Sequence, residues 1–593
     1  MSKLLANKEE KLWHTRIEKS LEWRKKYSCE SNWQTIDNYY RHKFDDTELM
    51  PRFNLIYMMG QTLMPALVFQ NPGILNTPAN YDYVFLASIW DSIDSWWVRH
   101  AEIRDISKEL VLSSYLHNTT MAQIGYDFDT ESDQARNIER EMFSDVEGSV
   151  NRSRGRNAPW VDFIPSHRGI VAVGTRTMRN CPWAGKLVSI PTRALKEVKG
   201  LKFVQQTSIP QEIYRMEQST WENKEKDKWT HFWEIHDAET GKWFWLGTHG
   251  KFILPPQEDP LQVFGLPTEV LSFNKTSDSI YGTPDAEYIR SQQVEGDEVR
   301  MHSMFMRRFS LPKFAYNSNV FEPKDIEAMM SSVVSPAIAA KLGESGDDDI
   351  RRHLFPFTPP TSLLMHREYG KDLLNDAQLI NGFGPNQMGT FAPGRRTKYE
   401  TQVVESTNSA RLAYRRSDVA NVIQGLTHRA NILMSQNWSG ETVQQVVGVD
   451  GAIYWVKAGM EQLKGIKEGL VTEVNVESLA PVSRERRKAE AAQLLAQLGN
   501  MQNAGMNTLP LIKQLLSTYE WVDINRVLPQ MTGEWELQGW MEQQQKLLQQ
   551  QGGAGQQAAQ NLQGVTSLGN GLPSENIGDQ YGSGNDMPDN TNV

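Results

Sequence analysis

The chain has 593 residues, 39% of them hydrophobic and 23% charged, a composition typical of a soluble globular protein with several domains. Its net charge of -10 argues against a basic nucleic-acid coat, but not against a channel through which a DNA duplex slides without tight phosphate binding. The two cysteines, Cys29 and Cys181, fit a reducing compartment and exclude a disulfide framework or a thiolate metal cluster. The charged N-terminus predicts no signal peptide, and the most apolar run, 55–69, is shorter than the roughly 20 residues of a membrane helix.

The first half of the chain changes from a helical to a strand pattern. Residues 7–40 are charged and amphipathic, 54–69 predict a buried helix, and apolar spacing predicts helix over 82–116. From 160 to 273, short alternating runs separated by Gly and Pro predict a Trp-rich β subdomain. Within it, the segment 237–241 has the composition of a hairpin turn.

The second half begins with a strong helix start at 283–285, where Thr283 is the expected N-cap and Pro284 the expected first helical residue. The composition after about residue 545 is rich in Gln, Gly, Asn and Ser and predicts disorder. Between these points the first helix is expected to run to about Phe309, followed by a mixed stretch over 311–357 and a helix over 360–381. A Gly/Pro loop over 383–396 then leads into a helix from 398 to about Gln436. After it we expect a hairpin over 444–456, a strand over 471–476 and helices over 483–545.

Motifs of catalysis and cofactor binding are absent from the sequence. It contains no G-x-x-x-x-G-K-[ST] nucleotide loop, no H-E-x-x-H, no C-x-x-C and no G-x-S-x-G. His231 and His236 point to opposite faces of a strand, which favours ordinary surface or core histidines over a metal pair. We therefore predict a protein without a cofactor, a metal or an enzymatic activity.

Two further clusters have a binding interpretation and a plainer one. Asp347, Asp348 and Asp349 offer oxygen ligands for a divalent cation, but their Gly/Ser-flanked loop lacks spaced ligands and favours a solvated loop tip. The tryptophans of the β block could stack on single-stranded bases, but the mixed charges around them favour core or subunit-interface aromatics. These tryptophans are Trp221, Trp229, Trp233, Trp243 and Trp245.

The order of elements between 283 and 436 is the most informative feature. A capped helix, a small insert, a second helix, a Gly/Pro loop and one very long helix follow each other. In this order the sequence resembles the portal (head-to-tail connector) proteins of tailed phages, particularly those of short-tailed phages. The collinear stretches that carry the resemblance are 53–56 through 69–72, 108–112 through 124–127, 264–267 through 281–285, the Gly/Pro loop with Glu400-Thr401, and 481–497.

The resemblance implies a ring subunit, usually one of twelve, at a unique capsid vertex of the virion. Double-stranded DNA passes along the ring axis during packaging and ejection. The implied partners are the terminase large subunit, then a tail adaptor or head-completion protein, with the major capsid and scaffolding proteins around the ring. Assembly takes place in the bacterial host cytoplasm, no membrane is involved, and the terminase supplies the ATPase.

The resemblance also implies an α+β, portal-type arrangement of domains. The β-rich part of the wing is 160–273 and its helical part is 1–128. The implied domains are the N-terminal wing (1–283), stem helix 1 (284–309), the clip (310–358), stem helix 2 (359–382), the tunnel loop (383–397), the long helix with the C-terminal wing (398–480), a helical crown (481–545) and a disordered polar tail (546–593).

Candidate functional residues follow from this assignment. Glycines let a tunnel loop flex around DNA while prolines limit its motion, and basic residues at its exit contact either phosphates or the acids of a neighbouring subunit. The candidates in and after the loop are Gly384, Pro385, Asn386, Gly389, Gly394, Arg395, Arg396 and Lys398. The candidates for docking in the clip are Asp347, Asp348 and Asp349.

Two other classes of protein compete with a portal. One is a different virion structural protein, such as a tail adaptor or an internal ejection protein, although adaptors are generally much smaller. The other is a nucleic-acid enzyme, such as a nuclease or packaging ATPase. The missing nucleotide loop and the missing carboxylate or histidine cluster argue against an enzyme.

Overall fold

The computed structural model describes most of the chain up to residue 437 and shorter stretches after it. The described residues are 2–44, 51–78, 84–126, 158–197, 200–205, 229–309, 313–317, 322–324, 327, 354–357, 363–382, 398–437, 441–447, 453–459, 470–475, 530–536 and 538–547.

The described helices follow the predicted regions closely, but two predicted segments are each divided. They are α1 (Ser2–Tyr27), α2 (Trp33–Arg41), α3 (Leu55–Leu67), α4 (Val84–His100), α5 (Ile103–His117), α6 (Thr192–Glu197), α7 (Asp285–Tyr288), α8 (Arg290–Phe309), α9 (Leu363–Asn381), α10 (Lys398–Asn437) and α11 at 538–547. Left-handed backbone at Cys29 (φ 51°) separates α1 from α2, and left-handed backbone at Glu102 (φ 52°) separates α4 from α5. A left-handed residue cannot continue a right-handed helix, so each break has a local backbone cause.

The described strands form one five-stranded sheet, two three-stranded sheets and two two-stranded sheets. They are β1 (Gly73–Pro78), β2 (Thr119–Tyr126), β3 (Pro159–Ile164), β4 (Gly169–Val171), β5 (Trp183–Pro191), β6 (Trp229–Asp237), β7 (Lys242–Gly247), β8 (Phe252–Glu258), β9 (Thr268–Ser272), β10 (Lys313–Tyr316), β11 (Leu354–Phe357), β12 (Glu441–Val447), β13 (Ile453–Gly459), β14 (Leu470–Asn475) and β15 (Gln530–Glu536). The mixture of helices and sheets agrees with the predicted α+β class.

The predicted β subdomain is confirmed as an antiparallel five-stranded sheet in the order β4-β5-β6-β7-β8. The predicted hairpin turn joins β6 to β7, and Gly241 takes a φ of 64° there. Beside it lies a three-stranded sheet in the order β3-β2-β9. Its central strand, β2, is buried along its whole length and was not predicted, because a strand buried on both faces lacks alternation.

Three of the five tryptophans of the β block lie in its core, one of the two positions that the sequence favours. Trp233 packs in a cluster with Trp13 and Ile17 of α1, so the N-terminal helix covers one side of the sheet. Trp243 and Trp245 pack together in a second cluster, with their rings at 86° and 5.5 Å apart. Trp229 is half-buried, and Trp221 lies outside the described residues.

The predicted cap at Thr283-Pro284 is wrong in detail. Pro284 is itself the N-cap, with extended backbone, and no side chain caps the helix start. The short helix α7 then ends at Tyr288, and α8 begins at Arg290. Asp285 is held by the side chain of Asn274, whose Nδ2 donates to Asp285 Oδ1 at 2.9 Å. The start is therefore fixed by a neighbouring segment rather than by the predicted local cap.

The paired helices are α8 and α9, which pack against each other. The insert between them begins and ends with β10 and β11, which pair antiparallel from Lys313↔Phe357 to Tyr316↔Leu354. The chain therefore leaves the helix pair and returns to it side by side. The long helix α10 has 40 residues, about 60 Å at 1.5 Å per residue, close to its predicted bounds.

The chain divides into two compact units. The first contains residues 1–442 and 459–481, and the second contains 443–458 and 482–593. The predicted hairpin over 444–456 is confirmed as β12 and β13, but it groups with the C-terminal residues rather than with the long helix.

The second unit also corrects the prediction of a wholly helical crown over 481–545. Residues Gln530–Glu536 form strand β15, which pairs in parallel with β13. A parallel partner from 70 residues further along leaves no hairpin signal in the sequence, so this strand was missed. The predicted disordered tail, 546–593, lies outside the described residues apart from 546 and 547. Among the described helices, none combines the length and apolar character needed to cross a membrane.

Candidate interaction surface of the paired helices

Helix α8 is anchored by the side chains on its buried face. Asp297 Oδ1 accepts a hydrogen bond from the backbone N–H of Phe53 at 2.6 Å, and Gln293 Oε1 accepts one from the N–H of Ile56 at 3.3 Å. Ile56 lies in the first turn of α3, where a helix leaves its first donors unpaired, and Phe53 lies two residues before the helix. Gln293 Nε2 also donates to Asp297 Oδ1 at 3.0 Å, which fixes both side chains. Helix α8 thus caps α3 from outside.

The backbone of α8 approaches this segment closely at Gly296. A Cβ there would lie 2.3 Å from Cδ1 of Phe53, so only glycine allows the ring to rest on the helix. Arg300, one turn further along, lies over the same ring at 5.0 Å from its centroid. These contacts hold the N-terminal half of α8 rigidly against the body of the first unit.

Helices α8 and α9 also share a polar contact. The Tyr369 hydroxyl donates to Oε1 of Glu295, and this hydrogen bond raises the pKa of the exposed tyrosine. Gly370 faces Val299, since a Cβ added at Gly370 would lie 3.9 Å from Val299 Cγ1, an ordinary van der Waals distance. The contact face of α9 is completed by Leu373 and Ala377, both buried.

A row of exposed acids lies on α9 beside the face that contacts α8. Glu368, Asp372 and Asp376 are spaced four residues apart, so they lie on one face of the helix. All three are exposed in the isolated chain, and Lys371 is the exposed basic residue beside them. This acidic row presents negative charge along about two turns of α9.

Large apolar side chains also remain exposed near the end of α9. Leu379 on α9 and Tyr414 on α10 are each 70% exposed. Phe305 on α8 is 39% exposed, but it lies at the other end of the helix pair, near the insert. A single exposed apolar residue is unremarkable, but two that are largely exposed on neighbouring elements favour a surface that another molecule covers. We call Leu379 and Tyr414 the apolar residues of the helix surface.

The end of α9 is closed by glycine and arginine. Gly382 takes a φ of 75° and donates its N–H to the carbonyl of Leu379, and Arg411 Nη1 donates to the same carbonyl at 3.2 Å. A cation at a helix C-terminus interacts favourably with its dipole. Arg411 therefore lies beside the end of α9, just before the predicted tunnel loop. The sequence contains no signal for this contact, because the partner of Arg411 is a backbone carbonyl.

The predicted loop residues themselves lie outside the described part of the chain. This applies to Gly384, Pro385, Asn386, Gly389, Gly394, Arg395 and Arg396. Lys398 is the first residue of α10, but its side chain is not among the described ones. Asp347, Asp348 and Asp349 also fall outside the described residues. Their assignments stay predictions.

Arginines on the long helix α10 fix it to the rest of the first unit. Arg415 forms an ion pair with Asp285, with Nη1 at 2.9 Å from Oδ2, and Arg416 Nε donates to the carbonyl of Ala66 at 2.9 Å. Further along, Arg429 pairs with Glu269 of β9. The Arg415–Asp285 pair places α7 beside the middle of α10.

The histidines of β6 are core residues, as the sequence favours. His231 bonds to Ser189 Oγ at 2.8 Å, and His236 lies between Asp259 and Glu234. Glu234 also forms an ion pair with Lys186 at 3.4 Å, and Gln123 Nε2 donates to it at 3.2 Å. We call Lys186, Glu234, His236 and Asp259 the buried ion cluster.

The charges of the buried ion cluster support each other. Burial opposes the charged form of His236, but Asp259 and Glu234 outweigh it and raise the pKa of the imidazole to about 9. Burial likewise opposes ionisation of Glu234, but Lys186 and His236 hold the pKa of this carboxyl well below its usual range. Every member has a protein partner, so the cluster joins strands rather than exposing a reactive group.

No group of three or more His, Cys, Asp or Glu side chains is arranged to hold a metal ion within the described ranges. Comparison with known protein families found no match to the chain, and a search of curated proteins found none either.

Proposed function

We propose that the chain is the portal subunit of a tailed phage. Copies of it form a ring at a unique capsid vertex, through which double-stranded DNA enters during packaging and leaves during ejection. The ring docks first the terminase large subunit and then a tail adaptor. In this role the protein has no catalytic activity of its own, and it acts by assembly, guidance and docking.

The observation that carries the proposal is the arrangement of the paired helices and the insert. Helices α8 and α9 pack together, and β10 pairs with β11 at the point where the chain leaves and re-enters the pair. Strands β10 and β11 therefore lie together at one end of the two helices, while α10 follows from the other end of α9. This layout suits a stem that projects a docking module away from the body of a ring.

The acidic row on α9 supports a channel role. In the proposed ring, Glu368, Asp372 and Asp376 face the channel in every subunit. Each phosphate that a protein neutralises adds salt-dependent affinity, and many such contacts would stop a sliding duplex. A wall of carboxylates repels phosphate and keeps the DNA mobile.

The apolar residues of the helix surface support assembly. Leu379 and Tyr414 are largely exposed in the single chain, and a ring buries such residues through contacts between different surfaces of neighbouring copies. Head-to-tail contacts of this type close on themselves, so no extra partner is needed to cover the surface.

The first test is the assembly state of the purified protein. We expect rings with a central hole by negative-stain microscopy, and a mass that is an integral multiple of the 67.7 kDa chain. Monomers or irregular aggregates under all salt and protein concentrations contradict the proposal.

The second test separates a portal from other virion proteins. Phage assembled without this chain should contain no packaged DNA, because the packaging motor has no docking site. Normal DNA content with lost infectivity would instead indicate an internal ejection protein, and filled heads without tails would indicate an adaptor. A deletion within 384–394 should leave rings intact and reduce the DNA retained in heads. Normal DNA content in that variant contradicts the tunnel-loop assignment.

A further inference from the structure

Two carboxyl groups, one buried and one half-buried, lie one turn apart on α4. Asp94 has no exposed surface, and Asp91 precedes it by three residues on the same face. Asn76 of β1 joins them, because its Nδ2 donates to Asp91 Oδ1 at 3.1 Å and to Asp94 Oδ2 at 2.7 Å. The backbone N–H of Asn76 also donates to Asp91 Oδ1, at 2.7 Å.

The same cluster includes two segments from much later in the chain. Asn431 of α10 donates from Nδ2 to Asp94 Oδ2 at 3.3 Å, and Thr472 of β14 donates from Oγ1 to Asn76 Oδ1 at 2.8 Å. Four elements, β1, α4, α10 and β14, therefore meet at two acids and their neutral partners. We call these five residues the carboxyl hub.

Within the described part of the chain, no positive charge compensates the hub. The elements packed against Asp94 present neutral amides, Asn76 from β1 and Asn431 from α10, and the charged group that influences it there is Asp91. Helix α5, which also packs against α4, contributes no charged group to Asp94 within the described residues. An unpaired buried carboxylate is very costly, so the group must be neutralised in the folded state.

Two buried oxygen atoms of the hub indicate how the negative charge of Asp94 is neutralised. Among the described residues, neither Asp94 Oδ1 nor Asn431 Oδ1 has a hydrogen-bond partner, although both atoms are buried. Two unpaired acceptors accord with a hydrogen atom that Asp94 itself carries, since a protonated carboxyl becomes a donor. A metal ion fits less well, because the amide donor of Asn76 already lies between the two carboxyl groups.

We propose that Asp94 binds a proton at neutral pH and that this proton fastens α4 to β1 and α10, so that its loss loosens the carboxyl hub. The proposal is independent of the portal assignment. Burial, the largest influence, raises the pKa of Asp94 to about 7, and nearby Asp91 raises it further, against the hydrogen bonds from Asn76 and Asn431.

The sign of the pH dependence follows from this proton. The pKa of Asp94 is higher in the folded chain than the ordinary value of 3.8 that it has when unfolded. The stabilisation by the proton is therefore fully present below pH 3.8 and is lost as the pH rises through about 7. One such group changes the unfolding equilibrium constant by about tenfold per pH unit across this window.

The test compares the full-length wild type with Asp94→Asn, which is neutral at every pH and keeps the shape of the side chain. We expect urea unfolding between pH 5 and 7 to show that the wild type loses stability relative to Asp94→Asn, by about tenfold in equilibrium constant per pH unit. Asp372→Asn, at an exposed acid of α9, is the matched control and should follow the wild type. Parallel profiles for the wild type and Asp94→Asn would overturn the proposal.

Two further measurements keep the proposal testable. Sodium, potassium or calcium ions that stabilise the wild type but not Asp94→Asn would show a bound cation instead of a proton, and would overturn it. If Asp94→Asn does not fold, infrared spectroscopy of the wild type replaces it. The carbonyl band of a buried carboxylic acid should be present at pH 6 and lost by about pH 9, and its absence at pH 6 would contradict the proposal.

Discussion

Nδ1 of His236 lies 2.6 Å from Oδ2 of Asp259, so a buried imidazole on β6 is bonded to the carboxylate that follows β8. On its other side Nε2 lies 3.3 Å from Glu234 Oε1. Carboxylates on both sides favour a positively charged ring, although the strand is fully enclosed. The β sheet thus contains a charged histidine in its interior at neutral pH.

The charged state of His236 predicts a loss of stability in mild base. Its pKa is raised from 6.5 to about 9, so the stabilisation is fully present below pH 6.5 and is lost as the pH rises through about 9. Urea unfolding followed by tryptophan fluorescence should show the wild type losing stability between pH 7 and 10 faster than His236→Gln. Equal slopes for the two proteins over this range would contradict the ion cluster.

Removing the lysine of the same cluster should be more harmful than removing an exposed one. Lys186→Met leaves the buried carboxylate of Glu234 without its 3.4 Å ion pair, and His236 alone must then compensate it. We expect the free energy of unfolding to fall by an amount on the order of 3 kcal/mol, the lower end of the range for breaking a buried ion pair. Chemical denaturation measures it, with Lys242→Met at the exposed start of β7 as control. A change within 0.5 kcal/mol of that control would show that Lys186 does not matter.

The hydrogen bond from the N–H of Phe53 to Asp297 predicts that replacing Asp297 lowers the stability of the protein. Asp297→Ala removes the acceptor for the N–H of Phe53 and leaves that donor without its partner, which should cost about 2 kcal/mol. Glu298→Ala, at the exposed neighbouring position of the same helix, is the matched control. Hydrogen exchange should locate the change at the start of α3 and along α8. Uniform exchange across the first unit would argue against a local cap.

Arg24 should not tolerate replacement by lysine. Its guanidinium is almost wholly buried, donates to both carboxylate oxygens of Glu30 and reaches the carbonyls of Ser166, His167 and Gly169. A lysine has three donors on one atom and cannot reproduce this planar pattern, so Arg24→Lys should lower the melting temperature by several degrees. Arg104→Lys, on the exposed face of α5, should leave it unchanged. Equal melting temperatures for both variants would contradict the prediction.

The proposed ring predicts an assembly defect without a folding defect at Leu379. This side chain is 70% exposed, so Leu379→Asp should cost the single chain little, whereas a buried charge at a subunit contact is strongly unfavourable. Light scattering should show a smaller assembly with an unchanged circular dichroism spectrum. Leu379→Met should assemble normally. Rings of normal size from Leu379→Asp would exclude this residue from the contact.

The sequence predicts the helices better than the strands, for physical reasons. The bounds of α9 and α10 agree with the predictions to within about three residues. Helix α8 ends where predicted, but it begins at Arg290 because the short helix α7 occupies the predicted start. Strand β2 was not predicted, because it is buried on both faces and its sequence does not alternate between apolar and polar residues. Strand β15 was not predicted, because its partner β13 is distant in sequence and only tertiary contacts favour a strand there.

The candidate surface could be predicted only in outline. The order of helices and insert is visible in the sequence, and so is the four-residue spacing of the acids on α9. Which face of α9 packs on α8 depends on Leu373 and Ala377, and periodicity alone does not say which apolar residues stay exposed. The carboxyl hub was not visible at all, because its members come from four separate segments.

The pairing of β1 with β14 has a consequence for synthesis on the ribosome. Thr472 and Asn76, which bond across this pair, are 396 residues apart in sequence. At 5–20 residues per second, the ribosome needs roughly 20 to 80 s to make the intervening chain. During that time β1 and Asp94 are outside the ribosome without Asn431 and Thr472. In this interval a chaperone or a neighbouring, incompletely made chain can bind them. The first unit therefore closes only after β14 has been made, so a truncation before β14 leaves β1 in the N-terminal part of the chain without its partner strand.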